Sequence, residues 1–213
     1  MRFKDPVVAG RELAGLLTEF RNARDTVVLG IASGGVPVAA ALAGELSLPL
    51  DLLFIRRLTA PFGPQRVLCA TNVGGTLVVD DELLPLPEHP VTGVDFSVAA
   101  GVKELVERER FCRDSREPIA LGGKNVVLAD NGIHTGSTVL IAIRALRKLS
   151  ARRIILAAPV ADPASRDVIE EAADEVTCLA WPEKFGHAGL WYEEFIRPTD
   201  EQILNLYRET INS

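Results

Sequence analysis

One stretch of the chain, Lys124 to Thr138, concentrates side chains that could bind a phosphorylated sugar. A short apolar run, Val126 to Ala129, precedes an acid and an amide, Asp130 and Asn131, which is typical of a buried parallel strand and the loop after it. Three hydroxyls and a glycine follow at the start of an apolar helix, in Thr135-Gly136-Ser137-Thr138. Glycine lets the backbone approach an anion, and the first N–H groups of a helix have no partner within it. The pattern predicts a phosphate site, with the Asp130 carboxylate accepting hydrogen bonds from a neighbouring ribose diol.

The same residue types also have a purely structural interpretation. Aspartate, asparagine, glycine, serine and threonine are common wherever a strand turns into a helix, because they cap helices and tolerate unusual backbone angles. The residues alone leave both interpretations open, although the concentration of hydroxyls at the helix start favours phosphate binding.

A second strand, loop and helix of the same kind lies nearer the N-terminus. Thr26 to Ile31 predicts a strand, and the residues after Gly35 predict a helix with Val38, Ala41, Leu42 and Leu46 on one face. The loop between them, Ala32-Ser33-Gly34-Gly35, could wrap an anion with bare backbone or form a plain tight turn. It carries neither G-x-G-x-x-G nor G-K-[ST], so it is not a dinucleotide fingerprint or a Walker-type loop.

A third predicted strand, Leu50 to Leu58, contains the consecutive arginines Arg56 and Arg57. Consecutive side chains on a strand point to opposite faces, so at most one of the two arginines can face a site. The planar fork of an arginine suits a phosphate group well.

Strands and helices alternate along most of the chain, which predicts an α/β fold with a mainly parallel, doubly wound sheet. The other expected elements are a helix from Asp5-Pro6 to about Arg21, a hairpin of Arg66–Ala70 and Thr76–Asp80, a helix Phe96–Phe111, a strand Arg153–Val160, a helix Ala164–Ala173, a strand Val176–Ala180 and a last helix from Thr199 or Asp200. Ligands bind at the carboxyl ends of strands in open α/β sheets. Both small-residue loops follow such ends, and we therefore expect them to form one shared site.

Size and charge predict one domain over residues 1–213, with a core of roughly 24–181 and a hood and C-terminal tail of roughly 182–213. The net charge of −6 argues against a surface that coats nucleic acid, and no apolar stretch approaches the roughly 20 residues of a membrane span. Three widely spaced cysteines indicate reduced thiols in a cytoplasmic protein. The basic residues after Glu107 are interleaved with acids and are interpreted as a solvated helix face: Arg108, Arg110, Arg113 and Arg116.

Aromatic residues concentrate near the C-terminus, where Trp181 to Phe195 holds five of the chain's twelve. They could form a hood over a sugar, with one ring stacked on a base. They could equally form a small hydrophobic cluster that anchors the C-terminal helices.

The segment VVLA-DN-GIH-TGST resembles the phosphoribosyl diphosphate motif of the type I phosphoribosyltransferases, which has four apolar residues, two acids, a short loop with T-G-x-T and a helix. The resemblance runs from Arg2-Phe3-Lys4-Asp5 through Leu29–Ala41 to Leu190–Phe195, and it is to a branch of small bacterial proteins whose nucleobase acceptor is not evident from sequence. Two positions depart from the pattern. Asn131 stands where the family has its second acid, and Ser33 stands where this branch usually has arginine.

The resemblance implies a hood built from N- and C-terminal segments, and transfer of a phosphoribosyl group from 5-phospho-α-ribosyl 1-diphosphate to a nucleobase, with release of diphosphate. The implied ribose and 5-phosphate site comprises Asp130, Asn131, Gly132, Ile133, His134, Thr135, Gly136, Ser137 and Thr138. The implied diphosphate site comprises Ala32, Ser33, Gly34, Gly35 and Arg57. Mg²⁺ is expected to be held by the diphosphate, ribose hydroxyls and water, without a direct protein ligand. Family analogy also suggests a homodimer, with no nucleic-acid or membrane partner.

Asp130 and His134 are the implied catalytic residues. In hypoxanthine-guanine phosphoribosyltransferases an aspartate just before T-G lies beside the purine, and His134 occupies that position here. A histidine there could exchange a proton with a ring nitrogen near neutral pH, or it could be an exposed loop residue. Asn131 and Ser33 favour a second function, a non-catalytic protein that binds the diphosphate or a nucleotide and signals to a partner. The intact T-G-S-T and Gly-Gly loops favour the enzyme.

Overall fold

The computed structural model describes residues 2–59, 67–73, 76–80 and 92–212, and it describes side chains outside residues 57–99. Strands and helices alternate through these residues, as the sequence predicts. The elements in chain order are α1 Pro6–Ala14, β1 Thr26–Ile31, α2 Gly35–Leu46, β2 Leu50–Thr59, β3 Val67–Val73, β4 Thr76–Asp80, α3 Thr92–Cys112, β5 Asn125–Ala129, α4 Ser137–Lys148, β6 Arg153–Val160, α5 Arg166–Ala172, β7 Glu175–Ala180 and α6 Asp200–Ile211.

The strands form one sheet in the order β4-β3-β2-β1-β5-β6-β7. Five neighbouring strands run parallel: β2, β1, β5, β6 and β7. Strands β3 and β4 extend the sheet beyond β2 as the expected antiparallel hairpin. Strands β1 and β5 are buried along their whole length. Their apolar sequences follow from this position, because parallel strands covered on both faces have no side exposed to water.

Helices cover both faces of the sheet and divide the core into two parts. Side chains from α1, α2, α3 and α6 pack on one face, and side chains from α4 and α5 pack on the other. The predicted mainly parallel, doubly wound α/β fold is confirmed.

The ends of three helices differ from the sequence-based expectation, and one of them is α3, which begins at Thr92 rather than Phe96. Asp5 caps α1 by accepting a hydrogen bond from the Val8 N–H at 2.8 Å, as predicted, but the helix ends at Ala14 rather than near Arg21. Gly15 follows, and glycine is the weakest helix former after proline. Helix α5 begins only at Arg166, because Pro163–Ser165 forms a short 3-10 turn. None of the described helices is long and apolar enough to cross a membrane.

The N-terminal segment and the aromatic tail form a hood, which we define as residues 2–4 together with 182–195. The Phe3 N–H donates to the Trp191 carbonyl at 2.8 Å, and the Glu193 N–H donates to the Phe3 carbonyl at 2.9 Å. The rings of Phe3 and Tyr192 pack at 5.8 Å between centroids, and both residues are buried. The predicted construction of the hood from both ends of the chain is therefore confirmed.

The interpretation of the basic residues after Glu107 as a solvated face is wrong for Arg113, which lies directly after α3. Its side chain is 3% exposed and forms ion pairs with the buried carboxylates of Asp51 and Glu109. Asp51 also accepts hydrogen bonds from the N–H groups of Leu52 and Ile119, each at 2.8 Å. A buried charge is stable only when it is paired in this way. Arg110 and Arg116 are exposed, as expected.

Candidate functional site

The two small-residue loops meet at one edge of the sheet. Strands β1 and β5 are neighbours and run parallel, with Gly30 beside Ala129, so their carboxyl ends lie together. A side chain at Gly34 would come within 2.8 Å of the Asn131 amide oxygen, and one at Gly35 would come within 2.5 Å of the Ala129 carbonyl. Glycine is required at position 35, where a β-carbon would meet the backbone of the second loop, whereas at position 34 it would meet the movable side chain of Asn131. The sequence had suggested a different reason, access of an anion to the backbone.

Asp130 stands at the end of β5 in a partly buried position. Its N–H donates to the Ala157 carbonyl at 3.1 Å, which holds the backbone against β6. Its carboxylate accepts the Asn131 N–H at 2.8 Å. Burial raises the pKa of Asp130 to about 7, and the Asn131 N–H and the positive charge of Arg197 only partly oppose this. A desolvated carboxylate of this kind gains from any hydroxyl donor or cation that a ligand brings to it.

Asn131 connects the second loop to the first loop and to the hood. Its amide side chain lies against Gly34, and its carbonyl accepts a hydrogen bond from the Tyr192 hydroxyl. Tyr192 is buried, so this hydroxyl acts as a structural anchor. The backbone of Asn131 is thus held by Tyr192, and its side chain lies against the first loop.

Gly132 and Ile133 anchor the second loop. A β-carbon at Gly132 would lie 2.7 Å from the side chain of Ala188 in the hood. The Ile133 N–H donates to Val160 at 2.9 Å, and its carbonyl accepts from the Asp162 N–H at 2.8 Å. The Ile133 side chain is buried. Neither the side chain nor the N–H of Ile133 is therefore available to a ligand, although the residue lies inside the predicted site.

The start of α4 has the features expected of a phosphate site. Gly136 precedes the helix with a φ of +77°, a left-handed conformation that favours glycine. The Thr135 and Ser137 hydroxyls are exposed and 2.9 Å apart, and Thr138 is half-buried. The helix has twelve residues and no acid in its first turn, so its N-terminal N–H groups can attract an anion without competition from a neighbouring carboxylate.

His134 lies at the boundary between the second loop and the hood. Its ring stacks on Phe185, with centroids 5.5 Å apart and an interplanar angle of 18°. Its Nε2 is 3.7 Å from a carboxylate oxygen of Asp162, and its side chain is 63% exposed. The structure therefore leaves one edge of the imidazole accessible next to the start of α4.

Sequence reasoning missed one arginine at the first loop. Arg108, which the sequence placed on the solvated face of α3, donates from Nη2 to the Ser33 Oγ at 2.8 Å. The same guanidinium forms a two-point ion pair with Asp200 at the start of α6. The available signal was the helical spacing, since Arg108 follows the buried Leu105 by three residues and precedes the buried Cys112 by four.

The remaining predicted residues of the diphosphate site are only partly described. Ala32 directly follows β1, its N–H donates to the Leu53 carbonyl at 2.9 Å, and the Ala32–Ser33 peptide bond is cis. Arg57 lies in β2 beside Cys69 of β3, and its side chain is outside the described residues. Its neighbour Arg56 pairs with Glu104 of α3 at 2.7 Å.

Fold and site together define a class of protein, a doubly wound α/β protein with two small-residue loops at the carboxyl ends of adjacent parallel strands, where ligands bind in such sheets. The profile of the phosphoribosyl transferase domain matches residues 8–193 of the chain. The chain therefore belongs to the phosphoribosyltransferase family, of type I, and the family's substrates are small molecules.

The most similar proteins found agree with this assignment. Two proteins of Mycobacterium tuberculosis that carry the provisional name phosphoribosyl transferase are 34% identical over 202 residues, which is 95% of this chain and 45% of theirs. The chain thus spans about half the length of these curated relatives. The crystal structure of TT1426 from Thermus thermophilus is 31% identical, with a TM-score of 0.82 over 98% of this chain and 99% of that one. A hypothetical protein from Neisseria gonorrhoeae, at 16% identity and a TM-score of 0.51, shares the fold.

Proposed function

We propose that this protein transfers a phosphoribosyl group from 5-phospho-α-ribosyl 1-diphosphate to a nucleobase-like acceptor. The bond between ribose C1 and the diphosphate oxygen breaks, and diphosphate leaves with the electron pair. A bond from C1 to an acceptor nitrogen forms, and the proton of that nitrogen is released. The protein contributes mainly by positioning the two reactants and by stabilising the charge on the leaving group.

The observation that carries the proposal is the contact between the two loops. The substrate has a phosphate at one end of the ribose and a diphosphate at the other, so it needs two anion sites a sugar's length apart. The start of α4 and the Ala32–Gly35 loop are the candidates for these two sites, and the contact between Gly34 and Asn131 supports this because it brings both loops to one edge of the sheet.

Each part of the substrate is bound by a different group of residues. The 5-phosphate binds to the N–H groups and hydroxyls at the start of α4, from Thr135 to Thr138. The ribose diol lies on Asp130, whose raised pKa falls again when hydroxyl donors reach the carboxylate. The diphosphate binds to the Ala32–Gly35 loop and to Arg57. His134 exchanges a proton with the acceptor base.

The site suits an Mg²⁺ ion that binds together with the substrate. In the described residues no group of three or more His, Cys, Asp or Glu side chains could hold a metal, and Mg²⁺ typically binds through one or two carboxylates plus substrate phosphates. The carboxylate of the partly buried Asp130 is suited to accept hydrogen bonds from water molecules bound to Mg²⁺. When bound with the diphosphate, Mg²⁺ would neutralise charge on the leaving group.

The test is release of diphosphate over time in a panel of purine and pyrimidine bases, each with 5-phospho-α-ribosyl 1-diphosphate and Mg²⁺. A base that accelerates release, with the matching nucleoside monophosphate detected by mass spectrometry, would support the proposal. Asp130→Asn should lose the activity, whereas Asp167→Asn, a change of the same kind at an exposed position of α5, should retain it. Release that is equal with and without every base would contradict transfer.

A second candidate function is supported by Asn131 and Ser33. The Asn131 amide packs against Gly34, and the Ser33 hydroxyl is bound by Arg108, so both departures from the family pattern form structural contacts. A protein that binds the diphosphate ligand and signals to a partner would tolerate them. The base panel separates the two functions, because a regulator would bind the ligand without turnover.

A further inference from the structure

The first loop receives a positive charge from a helix that is distant in sequence. Arg108 of α3 lies 75 residues from Ser33, yet its Nη2 donates to the Ser33 Oγ at 2.8 Å. Ser33 is central in the Ala32–Gly35 loop, so the guanidinium lies at the loop itself. Among the described residues, Arg108 is the basic side chain that hydrogen-bonds to this loop.

Three contacts hold the Arg108 guanidinium in place. Asp200 accepts from Nε at 2.9 Å and from Nη2 at 2.7 Å, a two-point arrangement that fixes the plane of the guanidinium. The ring of the buried Phe54 lies 5.5 Å from the Arg108 Cζ. Asp200 is itself fixed, because Thr199 and Gln202 form a capping box at the start of α6. The cation is thus oriented before any ligand arrives.

The guanidinium keeps capacity for a further acceptor. Asp200 and Ser33 take up Nε and Nη2, whereas Nη1 makes no hydrogen bond to any described residue. The side chain is 35% exposed, so an anion can reach it. A guanidinium in this state can offer two N–H groups to a phosphate oxygen, and the Ser33 hydroxyl can add a third.

We propose that Arg108 is a substrate-binding residue that binds the diphosphate at the Ala32–Gly35 loop, and that Asp200 is a positioning residue that orients the Arg108 guanidinium. The inference rests on the proposed function, since it assumes that a diphosphate occupies the first loop. A serine at position 33 is part of the arrangement, because its short side chain leaves the space that the guanidinium occupies.

The test uses inorganic diphosphate and ribose 5-phosphate as separate probes, measured by titration calorimetry at constant ionic strength. Arg108→Ala should weaken diphosphate binding about tenfold to a hundredfold, the range expected for a lost charge-assisted hydrogen bond. Binding of ribose 5-phosphate should change less than about threefold, because its phosphate binds at the start of α4.

Arg208→Ala is the matched control. Arg208 forms a two-point ion pair with Asp114 that also ties α6 to the end of α3, at 2.9 and 2.6 Å, and its exposure is similar at 45%. This variant should lose comparable thermal stability and keep native affinity for both probes. A double variant, Arg108→Ala with Ser33→Arg, places a guanidinium on the loop from the other side and should recover most of the diphosphate affinity.

The outcomes separate this inference from the proposed function. Equal diphosphate affinity in Arg108→Ala and Arg208→Ala would overturn the role of Arg108 and leave the proposed function standing. So would an equal loss of both probes in Arg108→Ala, which would mark a structural role. A native protein that binds neither probe would overturn the proposed function, and this inference with it.

Discussion

An amide occupies position 131, where the family pattern has an acid. A carboxylate there would accept hydrogen bonds from ribose hydroxyls or from Mg²⁺-bound water, whereas the amide has one accepting oxygen and a donor facing the same partners. The structure adds that the Asn131 side chain lies against Gly34, between the two proposed anion sites. Position 131 is therefore the residue at which catalytic strength can be tested most directly.

We expect Asn131→Asp to tighten Mg²⁺-dependent binding of 5-phospho-α-ribosyl 1-diphosphate roughly fivefold to tenfold, since each charge-assisted bond gained contributes about 1 kcal/mol. Binding of inorganic phosphate should not change. Calorimetry with and without Mg²⁺ measures both. Asn205→Asp makes the same change of charge at an exposed position of α6 and should have no effect. If Asn131→Asp binds no better than the native protein, position 131 does not face the ribose.

His134 has both a structural contact and an accessible edge. If it exchanges a proton with the acceptor base, His134→Ala should lower kcat by about a hundredfold or more on whichever base is accepted, and should leave binding of the phosphoribosyl substrate unchanged. His187→Ala, which removes another exposed histidine and lies in the hood, provides the control in the same steady-state assay. Full activity in His134→Ala would show that His134 has only a structural role, through its contacts with Phe185 and Asp162.

At the scale of elements, the start of α4 depends on one backbone conformation. Gly136 has a φ of +77°, and a β-carbon there would lie 3.0 Å from Ile169. The sequence suggested that a side chain at 136 would keep the phosphate away. The structure shows that such a side chain would meet α5 and disturb the turn itself.

Gly136→Ala should therefore destabilise the protein by about 1 kcal/mol or more, and should also weaken binding of ribose 5-phosphate. Gly44→Ala is the matched control, because Gly44 is exposed in α2 and a β-carbon there has nothing within 4 Å. Removing that glycine should stabilise the protein by about 0.5–1 kcal/mol. Urea denaturation measures both changes, and the same sign in both variants would mean that Gly136 does not need its left-handed conformation.

At the scale of the whole molecule, two carboxyl groups make stability depend on pH. Burial raises the pKa of Glu109 from 4.5, and that of Asp130 from 3.8, to about 7 in each case. Burial is the cause of the Glu109 shift, although the Glu109 carboxyl also accepts a hydrogen bond from Arg113 at 2.7 Å. At a pH between the ordinary and the raised pKa of each group, the carboxyl is protonated in the folded protein and ionised in the unfolded chain. Their contribution to stability is thus complete below about pH 4 and is lost as the pH rises through about 7.

The free energy of unfolding without ligand should decrease from pH 5.5 to pH 8, by up to about 1.4 kcal/mol per pH unit for each group. Carboxyls with lowered pKa values act in the opposite sense, but they titrate below the ordinary value of 3.8 to 4.5 and so outside this range: Asp25, Glu104, Asp114 and Asp174. Urea denaturation at several pH values measures the slope.

Glu109→Gln should flatten that slope, because the amide does not titrate. Glu107→Gln, on the exposed face of the same helix beside Lys103, should leave it as in the native protein. An unchanged slope in Glu109→Gln would show that Glu109 is already ionised at neutral pH.

The sequence by itself determined most of the elements and the position of the loop that is predicted to bind phosphate. The bounds Thr26–Ile31 and Arg153–Val160 follow from apolar runs between turn residues, and the structure has the same two strands. Hydroxyls and glycine after such a run indicate a helix start open to an anion. These signals are local, because period and turn chemistry act over a few neighbouring residues.

Only the tertiary structure decided how distant residues meet. Arg108 is 75 residues from Ser33 and 92 from Asp200. The basic residues around it are interleaved with acids in the sequence, a pattern that predicted an exposed helix face. Arg113 was misread for the same reason, since its partner Asp51 lies on another element. Gly35 is required because the backbone of the second loop packs on it. Each of these contacts depends on the order of strands and the packing of helices on the sheet, and no pattern within a single segment reports it.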